Sequence, residues 1–229
     1  MKKGVEMNKL IYSFLLSLIT VISANAHGFW LEMDDKKNEA KFFFGDWEEN
    51  LRESGKKLER IKGEDVYPKD VVKEIKRNDN HISYSLNKKS DLVVIEAGEP
   101  RKAKDEKDPT ITRKISYVKV GRTSIEPISI FEIVPVKENS NSFKIIYNNE
   151  PMKKTKIVVT SPTKWEKTFV SDDKGEFTIH TPWIGEYLIE ANFTDETKGE
   201  IDGKPYDKTL HSITYLIETK QGLPWEIKK

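Results

Sequence analysis

Short strands dominate the hydrophobic and polar pattern. Positions 81–86 alternate, with Ile82, Tyr84 and Leu86 on one side and His81, Ser83 and Ser85 on the other, the period of a half-buried strand. The run 92–97 (LVVIEA) is almost continuously apolar, as expected of a central strand covered on both faces. Shorter strands are predicted at 29–33 and 41–45. From residue 126 the spacing becomes regular, with strands predicted at 130–136, 143–147, 156–160, 164–170, 176–181, 186–193 and 210–219. Asn148-Asn149-Glu150-Pro151, Ser161-Pro162-Thr163 and Asp172-Asp173-Lys174-Gly175 separate some of these runs and carry turn chemistry. The stretch 47–60 (WEENLRESGKKLER) is the one place with helical character, weakened by Gly55. The charged stretch 98–110, with two prolines, reads as a surface loop.

These elements predict a mainly all-β protein of two β-rich modules. The second has the strand number and spacing of an immunoglobulin- or transthyretin-like sandwich. The expected organisation is a signal segment at 1–26, an N-terminal module at 27–125, a sandwich at 126–220 and a tail at 221–229. The signal reading rests on three features. Lys2, Lys3 and Lys9 form a basic start, 10–22 is an apolar stretch too short to span a bilayer comfortably, and Ala24-Asn25-Ala26 is a small-x-small cleavage site. Cleavage after Ala26 predicts export to the periplasm, with no stable membrane insertion afterwards.

Charge and cysteine content narrow the chemistry. The net charge is +1. The first 26 residues hold three Lys and one Glu, so the remainder sits near −1 and gives no reason to expect nucleic acid as a partner. The absence of cysteine excludes disulfides, thiolate metal sites and thiol nucleophiles. There is no His-Glu-x-x-His, no Gly-x-Ser-x-Gly and no glycine-rich phosphate loop, and the expectation is a protein that is not an enzyme.

Cleavage would also create a chemical group. His27 would become the mature N-terminus, placing a free α-amine beside an imidazole. That nitrogen pair suits nickel, cobalt or copper, with Cu(II) bound most tightly. The amine titrates at about 7.7–8.0, so proton competition near neutrality is modest. Further ligands are sought among His211, His180 and His81, with Asp46 and Glu48 as oxygen donors. Each of these also has a plainer reading, as a packing residue, a surface residue or a solvated turn. Copper enzymes that oxidise polysaccharides also begin with histidine, but nothing else in the chain is similar to them. The five tryptophans suggest either core anchors or a sugar- or protein-binding face. Asp172–Glu176 lacks the alternation of acids that a calcium loop needs and reads as a β-turn. Asn192, in Glu190-Ala191-Asn192-Phe193-Thr194, fits an acid-extended glycosylation sequon.

Several segments, in order, resemble a bacterial periplasmic family of domains of unknown function linked to nickel or cobalt uptake. They are His27-Gly28-Phe29-Trp30-Leu31-Glu32; 43–53 (FFGDWEENLRE); Gly121-Arg122-Thr123-Ser124-Ile125-Glu126-Pro127 running into 131–135; Tyr147-Asn148-Asn149-Glu150-Pro151; 168–177; Gly185-Glu186-Tyr187-Leu188; and Leu210-His211-Ser212. Gly28 departs from the acid common in similar proteins. The resemblance implies a carboxypeptidase-regulatory-like C-terminal sandwich and a protein that binds a divalent transition metal for an inner-membrane uptake transporter. The alternative is a non-catalytic sandwich of the cell envelope that binds a protein or glycan without metal.

Overall fold

The computed structural model describes residues 27–34, 36–102 and 109–222. The signal segment, part of the 98–110 stretch, Trp225 and most of the tail lie outside the described residues. The fold is all-β and centres on an eight-stranded sheet. Its order is Glu166–Val170, Lys156–Thr160, Gly185–Asp195, Lys208–Thr219, Ile111–Val120, Leu92–Ala97 and Asp65–Tyr67, with Arg101–Lys102 paired onto Ile111–Val120. Lys208–Thr219 and Ile111–Val120 run parallel; the other strand pairings among the described residues are antiparallel.

Both faces of this sheet are covered, which is why 92–97 is apolar at nearly every position. On one face, Val93, Tyr117, Ile189, Ile213 and Tyr215 meet Phe131, Ile133, Phe143, Ile145 and Phe177. These partners come from a smaller sheet of Phe131–Pro135, Ser142–Tyr147, Glu150–Pro151 and Glu176–Thr178. On the other face, Leu92, Val94, Val118 and Val120 meet Leu31, Phe42, Ile82 and Tyr84. Those four belong to a sheet ordered Gly28–Asp34, Glu39–Asp46, Ile82–Leu86 and Val72–Arg77. The opposite side of the first hairpin is apolar too. Trp30 and Phe43 stack on each other and pack against Leu188 and Leu216 of the central sheet.

The turns follow their sequence chemistry. Asn148 and Asn149, both with positive φ, close the two-residue hairpin between Tyr147 and Glu150. Asp202-Gly203 does the same between Ile201 and Lys204. The Asp172 carboxylate accepts the N–H groups of Lys174 and Glu176, so the acidic stretch there is a β-turn.

Three findings differ from the sequence reading. The stretch 47–60 yields only one helical turn, Lys56–Glu59. Asn50 and Gly55 both take positive φ, and Leu51–Arg52 folds back to pair with Gly45 and Asp46. Tertiary pairing overrides the local propensity. Second, Ile111–Val120 is a ten-residue strand at the centre of the molecule. Its Arg113, Lys114 and Lys119 hide the apolar pattern, and Lys119 is fully buried in an ion pair with Glu132 at 2.6 Å. Third, position 125/126 does not separate sheets, because the central sheet draws strands from both sides of it.

Candidate functional site

His27 stands immediately before the strand Gly28–Asp34, where Gly28 pairs with Gly45. Gly45 has φ +154°, and a Cβ there would lie 2.0 Å from the Leu51 carbonyl oxygen. The missing side chain lets Leu51–Arg52 close against Glu39–Asp46. The Glu53 N–H then donates to the Phe44 carbonyl at 2.8 Å, which fixes Glu53 beside the start of the strand Gly28–Asp34.

His27 Nε2 hydrogen-bonds to Glu53 Oε1. The same oxygen receives Lys57 Nζ at 2.6 Å. Glu53 is 8% exposed, whereas the His27 side chain is 39% exposed. The His27 ring also leans on Phe44, with centroids 5.5 Å apart. Lys57, and after it His27, holds the Glu53 carboxyl below its ordinary range, so it is ionised at neutral pH and accepts both hydrogens. In the neutral imidazole Nε2 is then the nitrogen that carries the hydrogen, and Nδ1 the one with the lone pair. A carboxylate on the far nitrogen of a metal-binding imidazole fixes its tautomer, orients the ring and raises its basicity.

The other residues singled out from sequence lie apart from this pair. His211 is 3% exposed on Lys208–Thr219, as the parity of Ile213, Tyr215 and Ile217 implies. Its Nδ1 meets the Tyr117 hydroxyl at 3.2 Å, and its ring packs with Tyr147, Phe131 and Phe193. Burial pushes its pKa down. It belongs to the face of the central sheet turned away from the first hairpin, so the sheet stands between it and His27. His180 is exposed beyond Glu176–Thr178. His81 is half-buried, its Nδ1 2.8 Å from Asn80 Oδ1 and its ring against Phe43.

Asp46 accepts the Glu49 N–H at 3.0 Å and caps the turn after its strand. Glu48 is exposed in that turn, its carboxyl raised by partial burial and then by Glu166 and Asp46. Among the described residues, no three His, Asp or Glu side chains are gathered closely enough to hold a metal ion. The structure thus brings His27 together with Glu53, and not with His211 or His180. Glu53 escaped the sequence reading because 47–60 read as a helix, in which Glu53 and Lys57 look like an ordinary i,i+4 surface pair.

A second group of acids lies where the 47–49 turn approaches the central sheet. Glu190 on Gly185–Asp195 is pushed up to about 7 by burial, then by Glu48 and Glu166. Lys164 bridges from the sheet side to the turn, donating to the Trp47 carbonyl at 3.0 Å with its ammonium 3.7 Å from the Trp47 ring centroid. The remaining tryptophans divide between core and surface. Trp30 is buried, while Trp165 is 69% exposed and meets the half-buried Trp183 edge-on.

The chain matches no protein-family model, no curated protein and no solved structure. Among the described residues, no helix is long and apolar enough to cross a membrane.

Proposed function

We propose that the mature chain is a periplasmic protein that binds a divalent transition metal through its own N-terminus and serves the uptake or delivery of that metal. Nickel or cobalt is the cargo suggested by the resemblance of 27–32 and the later segments to a metal-uptake family. Copper is the ion that the same donors would hold most tightly. An inner-membrane uptake transporter is the partner this reading implies, and no catalysis is assigned.

One observation carries the reading: the His27 imidazole is tied through Nε2 to the nearly buried, ionised Glu53. A fraying terminal histidine has no need of such a carboxylate. With Nε2 committed, Nδ1 and the α-amine freed by cleavage after Ala26 are the two nitrogens that close a six-membered chelate ring. Glu53 holds the ring in place for them, and Lys57 keeps Glu53 ionised.

Isothermal titration of protein beginning at His27 is expected to show about one Ni(II), Co(II) or Cu(II) bound per chain. Glu53→Gln keeps the size of the side chain and removes its charge. That variant should weaken binding about 10- to 100-fold, the usual effect of losing an orienting partner of a metal-binding imidazole. Undiminished affinity in Glu53→Gln would remove the support that the geometry gives.

The alternative, a metal-free envelope module for a protein or glycan, draws on the exposed Trp165 and its edge-on contact with Trp183. It predicts no heat from any of the three metals and weaker partner binding in Trp165→Ala.

A further inference from the structure

The segment Gly121-Arg122-Thr123-Ser124 plays no part in the His27 site, yet the fold pins it with unusual care. Asp91, 3% exposed, accepts the Thr123 N–H at 3.0 Å on each oxygen, the Thr123 hydroxyl at 2.7 Å and the Ser124 N–H at 2.9 Å. Gly121 makes this approach feasible. Its φ is +91°, and a Cβ there would sit 2.5 Å from Asp91 Oδ1 and 2.7 Å from Asp91 Cα. From the other sides, the Tyr215 hydroxyl donates to the Gly121 carbonyl at 2.7 Å, and the Asn139 N–H donates to the Arg122 carbonyl at 2.8 Å.

What this loop presents is Arg122. The side chain lines a cavity of about 650 Å³ at the ends of the parallel strands Ile111–Val120 and Lys208–Thr219. That volume lies within the range of about 300–1,000 Å³ usual for small-molecule sites. Arg122 Nη1 donates to Asn141 Oδ1 at 2.6 Å, and Asn141 Nδ2 in turn donates to Thr181 Oγ1 at 3.0 Å. Thr219 lines the same wall. Among the described residues the Arg122 guanidinium forms no ion pair with a carboxylate, although Asp91, distant in sequence, lines the same wall. Asp91 spends its lone pairs on Thr123 and Ser124. Arg122 is therefore oriented by a neutral amide, and its charge is left to be met by something else.

We propose that this cavity binds a small organic acid with a single negative charge and several hydroxyl groups. Its carboxylate is taken by Arg122, and its hydroxyls by Asn141, Thr181 and Thr219. A planar carboxylate suits the guanidinium fork. The acids in the walls argue against a dianion such as phosphate: Glu186 and Glu218 line the cavity beside Asp91 and would repel a second negative charge. Glu218 is paired with Lys220 at 3.7 Å, and Lys220 and Lys89 stand at the cavity with partners of their own. The site is independent of metal binding at His27.

The test is calorimetric titration of the full mature chain, kept metal-free with chelator. The probes are galacturonate and gluconate, with galactose as the neutral counterpart and inorganic phosphate as the dianion. At least one of the two acids is expected to bind with a millimolar or lower Kd, and galactose and phosphate to bind at least tenfold more weakly. Arg122→Ala should reduce acid binding at least tenfold. Arg122→Lys should recover only part of it, because an ammonium lacks the fork. The loop is held by its backbone and Asp91 rather than by the Arg122 side chain, so both variants should keep the native circular dichroism spectrum and melting profile. Asn141→Ala provides a second variant that loosens Arg122 while leaving its charge. The proposal is overturned if neither acid binds, if phosphate binds more tightly than the acids, or if folded Arg122→Ala binds them unchanged.

Discussion

Ionising Glu190 places a charge on a half-buried carboxyl that feels Glu48 and Glu166, and the fold resists it. In the unfolded chain such a carboxyl titrates near its ordinary value of 4.5, whereas in the folded chain it is pushed up to about 7. Between those values the folded state holds a proton that the unfolded state has lost. Stability from this residue is thus complete at low pH and declines as pH rises through that window, on the order of 3 kcal/mol in all. His211 acts in the opposite direction. Its depressed pKa withdraws stability as pH falls below its ordinary value of 6.5. Comparison with Glu190→Gln separates the two. The variant should gain stability relative to the wild type at about pH 8 and lose that advantage at about pH 4.5, as read by urea unfolding at each pH. An advantage independent of pH would mean that Glu190 titrates alike in the folded and unfolded chains. At this scale the sequence was a partial guide. The inward parity of His211 was legible from Ile213, Tyr215 and Ile217. The pairing of His27 with Glu53 was not, because it depends on a backbone approach at Gly45 across a distant register.

Strands were legible wherever one face is apolar and turn residues mark the ends. Leu92–Ala97 and Lys156–Thr160 fall where the pattern places them, and the other strands expected in the second half shift by a few residues at their ends, while the short Glu150–Pro151, Gly199–Ile201 and Lys204–Tyr206 were not read as strands. The elements that escaped are those in which charge interrupts the pattern. Val72–Arg77 is an edge strand with exposed Lys73, Glu74 and Lys76, charges that discourage further strand pairing and also disguise the strand. Ile111–Val120 escaped for a different reason, since Lys119 belongs to the core only by virtue of Glu132. Glu132 is held by the N–H groups of Ile128 and Ser129, at 2.7 Å and 2.8 Å. A buried charge made acceptable by a partner thirteen residues away leaves no local mark in a hydrophobicity pattern. The 47–60 stretch is the converse. Its local pattern suits a helix, and the pairing of Leu51–Arg52 with Gly45 and Asp46 overrides it.

At the scale of the whole molecule, the parallel pairing of Ile111–Val120 with Lys208–Thr219 joins the two halves of the chain. It runs over nine residue pairs, from Lys208 opposite Thr112 to Leu216 opposite Val120. Cutting between 125 and 126 would expose both strands along an edge and strip the central sheet of apolar cover, so neither 27–125 nor 126–222 should fold alone. Separate expression with circular dichroism and limited proteolysis would show disordered, protease-sensitive fragments, and a cooperatively melting fragment would contradict this. All-β character and the sandwich of the second half were readable from strand spacing. The shared central sheet was not, since parallel pairing between strands some ninety residues apart has no sequence signature. The proposed function likewise depends on the whole processed chain, because its metal-binding amine exists only after export and cleavage. The most direct measurement compares Ni(II) and Cu(II) titrations of two proteins, one beginning at His27 and one carrying a single extra alanine before it. The expected result is about one tightly bound ion for the first and a large loss of affinity for the second; equal affinity in both would contradict the N-terminal site.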